Sequence, residues 1–162
     1  MIDLNLKFVY QSLTKEEKQD ILSLWISSGV LSKEQAYKRI EEVSTLILNN
    51  NKIVGVSTVY PQYFIRSDSI FFFFRMFIQQ EFRGSNSIRK KLMQLNYSEL
   101  KKRFENKAYG LVVELENKKL DNLGKNTNYM TKRGYTYYGK SPRGLQLWYV
   151  MFDEPKGIFN IK

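Results

Sequence analysis

Cysteine and histidine are both missing from this 162-residue chain. Their absence excludes disulfides, thiol nucleophiles and histidine-dependent triads. It also removes the usual ligands of zinc and haem, so no metal site is expected. Any general base has to be Asp, Glu, Tyr, Lys or water. Proline is scarce: Pro61, Pro142 and Pro155 are each expected to punctuate a loop. No apolar stretch reaches the roughly 18–20 residues of a membrane span, so no membrane partner is expected. The opening MIDLNLKFVY carries Asp3 and lacks a basic stretch followed by an apolar run. That argues against a secretory signal and makes a cytoplasmic protein the expectation. Repeats, low-complexity linkers and composition breaks are missing too, which leaves one domain over residues 1–162.

What is present is apolar mass and positive charge. Hydrophobic residues make up 43% and aromatics 15%, enough for a sizeable core. The net charge is +10, and it is unevenly spread. Residues 1–82 carry nine basic and nine acidic side chains, and residues 144–162 carry two of each. Residues 83–143 carry fifteen basic against five acidic, and so hold the whole excess. One segment is suited to meet an anion, or to serve as a solvated basic face.

The pattern along the chain reads β-α-α-β-β-β-α-β-α-β-β. Leu4, Leu6, Phe8 and Tyr10 alternate as a strand. Thr14-Lys-Glu-Glu17 and Ser32-Lys-Glu-Gln35 are capping boxes, each followed by a helical apolar stripe. Residues 45–48 and 53–60 read as strands joined by a turn at Asn49-Asn50-Asn51-Lys52. Residues 69–78, with Phe71 to Phe74 in a row, read as a central strand covered on both faces. A long helix follows to about Asn106, its buried stripe marked by Ile88, Leu92, Leu95, Leu100 and Phe104. Residues 109–115 form the next strand. Residues 117–133 are partly helical, with Gly124 as an interruption and Gly134 as the stop. Residues 135–138 and 145–152 close the pattern as strands. Loops around residues 29–33 and 62–68 would shape a substrate pocket.

Arg83-Gly84-Ser85-Asn86-Ser87 lies between the phenylalanine strand and the long helix. The first N–H groups of a helix lack intrahelical partners and attract phosphate. Gly84 lets backbone come close to a ligand, the short polar residues cap the helix or bind oxygen, and Arg83 and Arg89 add charge. An ordinary strand–turn–helix link with an N-cap has the same composition. Position at the head of the basic segment favours a pyrophosphate site.

This element order and this turn resemble the GNAT superfamily of acetyl-CoA-dependent N-acyltransferases. Phe77-Ile-Gln-Gln-Glu-Phe-Arg-Gly84 resembles the strand end and opening of that family's Gln/Arg-x-x-Gly-x-Gly/Ala turn, and Asn126 to Tyr135 resembles its closing helix. The resemblance implies an α/β GNAT-like fold: a central mixed, mostly antiparallel sheet flanked by helices. It implies acetyl-CoA or another acyl-CoA as co-substrate and an amine-bearing small molecule or protein as acceptor. The thioester oxygen would meet a backbone N–H near Phe77, Ile78 or Gln79. Arg83, Gly84, Ser85, Asn86, Ser87, Ile88 and Arg89 would form the pyrophosphate site, with Asn117 and Asn126 as further cofactor contacts. The family's later turn glycines fall here at Asn86 and Ile88. Its leaving-group tyrosine falls at Met130, one residue after Tyr129. Tyr129 is thus either the acid or a packing tyrosine. Glu81, at the strand end, and Glu114, on the next strand beside Glu116, are candidate bases or solvated charges.

A second class of function shares the same residues. Tyr135, Tyr137 and Tyr138 beside Lys132, Arg133, Lys140 and Arg143 could stack bases and meet phosphates, making the chain a non-catalytic GNAT-like module for nucleic acid or another acidic partner.

Overall fold

Local sequence signals start the helices where expected. In the computed structural model, which describes residues 2–84, 86–116 and 123–161, strand β1 (Leu4–Phe8) leads into helix α1 (Lys15–Ser27). The Thr14 hydroxyl accepts from the Glu17 amide at 3.1 Å, and the Glu17 carboxylate accepts from the Thr14 amide at 2.9 Å. Ser32 and Gln35 repeat this reciprocal cap at the start of α2 (Lys33–Arg39). Both boxes satisfy amides that a helix start otherwise leaves open.

The remaining elements are β2 (Val43–Asn49), β3 (Lys52–Phe64), β4 (Arg66–Ile78), α3 (Asn86–Phe104), β5 (Gly110–Leu115), α4 (Leu123–Arg133), β6 (Thr136–Lys140) and β7 (Gln146–Met151). The expected element order is therefore observed. The strands form one sheet in the order β1-β2-β3-β4-β5-β7-β6. β1–β2, β2–β3, β5–β7 and β6–β7 pair antiparallel, and β4–β5 pair parallel. A parallel pair needs a crossover, which α3 supplies. Among the described residues no helix is long and apolar enough to cross a membrane.

Three expectations are corrected. Residues 62–68 are not a loop: β3 runs to Phe64 and β4 starts at Arg66, with only Ile65 between them, at φ 71°. Pro61 accordingly lies inside a strand, where its fixed φ suits extended backbone. Gly124 does not interrupt a helix, because α4 runs through it.

The chain packs as two compact units, residues 1–59 with 76–96, and residues 60–75 with 97–162. The first unit has an aliphatic core. Ile21, Leu24 and Trp25 of α1 and Ala36 of α2 pack on Val43 and Leu46 of β2 and Ile53 and Val56 of β3. A buried polar chain accompanies it: the Ser44 and Ser57 hydroxyls lie 2.8 Å apart, and the Asn96 amide donates to Ser57 and to the Leu92 carbonyl.

The second unit is packed by rings. Phe64, at the end of β3, lies 5.2 Å from Phe71, 5.5 Å from Phe73, 4.4 Å from Tyr138 and 6.0 Å from Tyr149, centroid to centroid. On α3, Phe104 meets Phe72 edge-on, and Tyr97 packs against Phe152 and Phe159. The Tyr97 hydroxyl donates towards the carbonyls of Met151 (2.8 Å) and Phe152 (3.1 Å). Gly134 ends α4 at φ 105°. A Cβ there would run into the carbonyl of Lys156, so conformation and space both require glycine.

Candidate functional site

The first unit contains the strand end, turn and helix start that the sequence singles out. The Gln79 amide donates to the Val54 carbonyl of β3 at 2.9 Å. Successive N–H groups of an extended strand point to opposite edges, so the Ile78 amide points away from β3. Of Phe77, Ile78 and Gln79, only Ile78 turns its amide to that edge. It also lies beyond Phe74, the last residue of β4 in the ladder with β5.

After Ile78 the chain makes a 3-10 turn at Gln80–Phe82. Arg83 folds back so that its Nε donates to the Ile78 carbonyl at 2.6 Å, while its guanidinium carbon stands 5.8 Å from the Phe77 ring centroid. One side chain thereby ties the turn to the strand end. A Cβ built at Gly84 meets no atom within 4 Å, so the backbone there faces open space. Ile88 is buried and faces the core. It therefore leaves the turn unobstructed by its side chain. The Nε of Arg89 is buried with no hydrogen-bond partner among the described residues. An orphaned guanidinium nitrogen in the first turn of a helix suits an anion. Glu81 is exposed in the 3-10 turn. Ser85 and the side chain of Asn86 lie outside the described residues.

The second unit holds the other candidates. The Glu114 and Glu116 carboxylates accept from one nitrogen of Arg143, at 2.9 and 3.2 Å. These pairs, the Glu116 hydrogen bond foremost, raise the Arg143 pKa further. Arg143 sits in the β6–β7 turn, where Ser141 bonds to Leu145 and Gly144 adopts φ 78°. The sequence offers the Pro142-Arg143-Gly144 turn but no sign that it reaches back to β5. On α4, Met130 is buried and Tyr129 is 44% exposed, with the Arg133 guanidinium 4.4 Å from its ring centroid. Tyr129 is thus a surface phenol. Tyr135 is buried, and desolvation is the main cause raising its pKa, whereas Tyr137 and Tyr138 are half exposed. Asn117 and the side chain of Asn126 lie outside the described residues.

No protein-family model and no curated protein matches the sequence. Solved structures do match the fold. A GNAT-family acetyltransferase from Streptococcus pneumoniae superposes with a TM-score of 0.60 at 12% identity, over 92% of this chain and 99% of that one. This chain has the GNAT fold. The N-acetyltransferase of Staphylococcus aureus Mu50 shares the GNAT fold at a TM-score of 0.62 and 11% identity, over 94% and 99% of the two chains. A Salmonella typhimurium protein, solved with its cofactor acetyl-CoA, gives 0.60 at 11% identity, over 94% and 95%. At such identities the likeness is one of fold. The GNAT fold and its mixed sheet agree with the resemblance read from the two motif stretches.

Proposed function

We propose that the protein is an N-acyltransferase that passes an acetyl or other acyl group from acyl-CoA directly to an amine. The observation that carries this reading is the strand end and turn of the first unit: an Ile78 amide aimed away from β3, a turn clamped by Arg83, open space at Gly84 and an orphaned nitrogen on Arg89. Acetyl-CoA in a similarly folded protein supports the choice of co-substrate.

In this reading the α3 start, with Arg83 and Arg89, binds the pyrophosphate. The Ile78 amide stabilises the thioester oxygen as charge builds on it. The neutral amine attacks the carbonyl carbon, a C–N bond forms, and the C–S bond breaks. The ammonium proton leaves to Glu81, Glu114 or water, and Tyr129 protonates the departing thiolate. Arg143 already holds the Glu114 carboxylate, which favours Glu81 or water as acceptor of that proton. Asn117 and Asn126 stay assigned to the cofactor. The acceptor class is a small-molecule or protein amine.

Thermal melting with acetyl-CoA tests the co-substrate. At 100 times the dissociation constant the ligand adds about 2.7 kcal/mol. No shift at millimolar ligand removes the reading. Gly84→Ala places the phosphate: the added methyl meets no protein atom, so melting of the free protein stays unchanged while acetyl-CoA affinity falls tenfold or more. Equal affinity would move the site elsewhere.

A further inference from the structure

The basic residues of this chain are not all treated alike by the fold. In residues 1–59, where basic and acidic side chains number seven each, Lys7 pairs with Glu17 at 2.8 Å, Lys18 with Glu41 at 2.7 Å and Lys38 with Glu34 at 3.1 Å. Along α3 and just beyond it, residues 89–107 carry seven basic side chains against two acidic. Arg103 pairs with Glu99 at 3.7 Å. Lys90, Lys91, Lys101 and Lys102 enter no salt bridge among the described residues; Lys90, Lys91 and Lys102 are exposed and Lys101 is half-buried.

Helical geometry arranges these four. At 100° per residue, Lys90 and Lys101 lie about 20° apart around the axis, as do Lys91 and Lys102. The two rows bound a stripe about 120° wide along which Gln94 and Ser98 fall. Eleven residues separate the members of a row, a distance of about 16 Å. The result is four cations at the corners of a polar strip.

What the strip lacks identifies its partner. No large apolar side chain between residues 77 and 108 is exposed. Protein interfaces centre on buried aromatic, aliphatic or Arg anchors and are depleted in Lys. A membrane-seated helix needs an apolar face for the acyl boundary. Isolated ammonium groups on a polar strip fit regularly spaced phosphates, with no base read. We infer that the solvent face of α3, through Lys90, Lys91, Lys101 and Lys102, is a sequence-independent docking surface for the phosphate backbone of a nucleic acid.

The test is fluorescence anisotropy with a labelled 20-base-pair DNA duplex of random sequence, run from 50 to 300 mM salt. Four phosphate contacts predict a slope of log affinity on log salt near −3.6, about −0.9 per contact. The K90Q/K91Q/K101Q/K102Q variant should bind at least tenfold more weakly, with a slope near zero. A control variant, K15Q/K33Q/K38Q/K52Q, removes the same charge from residues 1–59 and should bind within twofold of the parent. Circular dichroism verifies that both variants keep their helices. Absence of binding at 50 mM salt overturns the inference. So does equal loss in the control, which would reduce the effect to net charge. Equally tight binding of poly-glutamate or anionic lipid vesicles overturns the assignment to nucleic acid.

Discussion

The two packing units solve the same problem with different side chains. The first buries Val, Ile and Leu around one tryptophan, pairs Lys7, Lys18 and Lys38 with Glu17, Glu41 and Glu34, and carries eleven basic against eight acidic residues, a net +3. The second buries phenylalanine and tyrosine, and carries fifteen basic against eight acidic residues, a net +7. Aliphatic side chains fill space with little directional demand, whereas rings prefer tilted or edge-on neighbours at centroid distances of about 4.5–7 Å. A core of rings is thus more specific about geometry. Phe64 illustrates this by touching rings carried on three other strands.

The largest test of that contrast is Phe64→Ala. Emptying a ring-lined site should cost about 3–5 kcal/mol in urea unfolding. A cost under about 1 kcal/mol would show that the neighbouring rings close the gap, and the contrast between the cores would fail. Tyr97→Phe comes next. It removes the donor to one buried and one part-buried carbonyl, at a cost of about 1–2 kcal/mol at neutral pH. Burial, with the charge of Asp153 as a lesser cause, pushes the Tyr97 phenol up to about 12. The folded chain therefore keeps a proton that the unfolded chain releases from about pH 10. The Tyr97 contribution is full below pH 10 and is lost as pH rises towards 12. Parent and variant stabilities should converge across that window, and parallel curves would show that the phenol does not titrate as its burial demands. In the aliphatic unit, Ile21→Val should cost about 0.5–1.5 kcal/mol, because a single methylene is lost from a fully buried side chain. A loss as large as that of Phe64→Ala would erase the distinction. The smallest effect belongs to Arg143→Ala. Its pairs with Glu114 and Glu116 are solvent-exposed, so the denaturation midpoint should barely move, and added salt should erase any difference. A clear loss persisting in high salt would mean that this turn bears on the fold of its unit.

Much of the architecture was legible before any coordinates. Thr14 and Ser32 announce the helices that start at the next residue, since each cap and its reciprocal partner three residues on lie within one turn. Asn50 and Asn51 announce the β2–β3 hairpin, because both take positive φ and asparagine tolerates it. The candidate turn was legible as Arg83-Gly84 between strand and helix. Its details were not. That Arg83 closes on the Ile78 carbonyl, that Gln79 spends its amide on Val54, and that Ile88 turns inward depend on where β3 and the core lie. The extension of β3 through Pro61 to Phe64 was also hidden, since Pro61 and polar Gln62, with Arg66-Ser67-Asp68 close behind, imitate a loop.

The sequence by itself determined the kinds and order of elements, the concentration of positive charge after residue 82, and the exclusion of cysteine and histidine chemistry. These are properties of short windows and of composition. Tertiary structure alone decided that β7 lies between β5 and β6, that Phe64 meets Tyr138, and that the Arg143 turn reaches Glu114. The β5–β7 pairing, the Phe64–Tyr138 contact and the Arg143–Glu114 bond each join residues about 30 or more positions apart, and such pairings become favourable only once sheet register and ring packing have already closed the intervening chain.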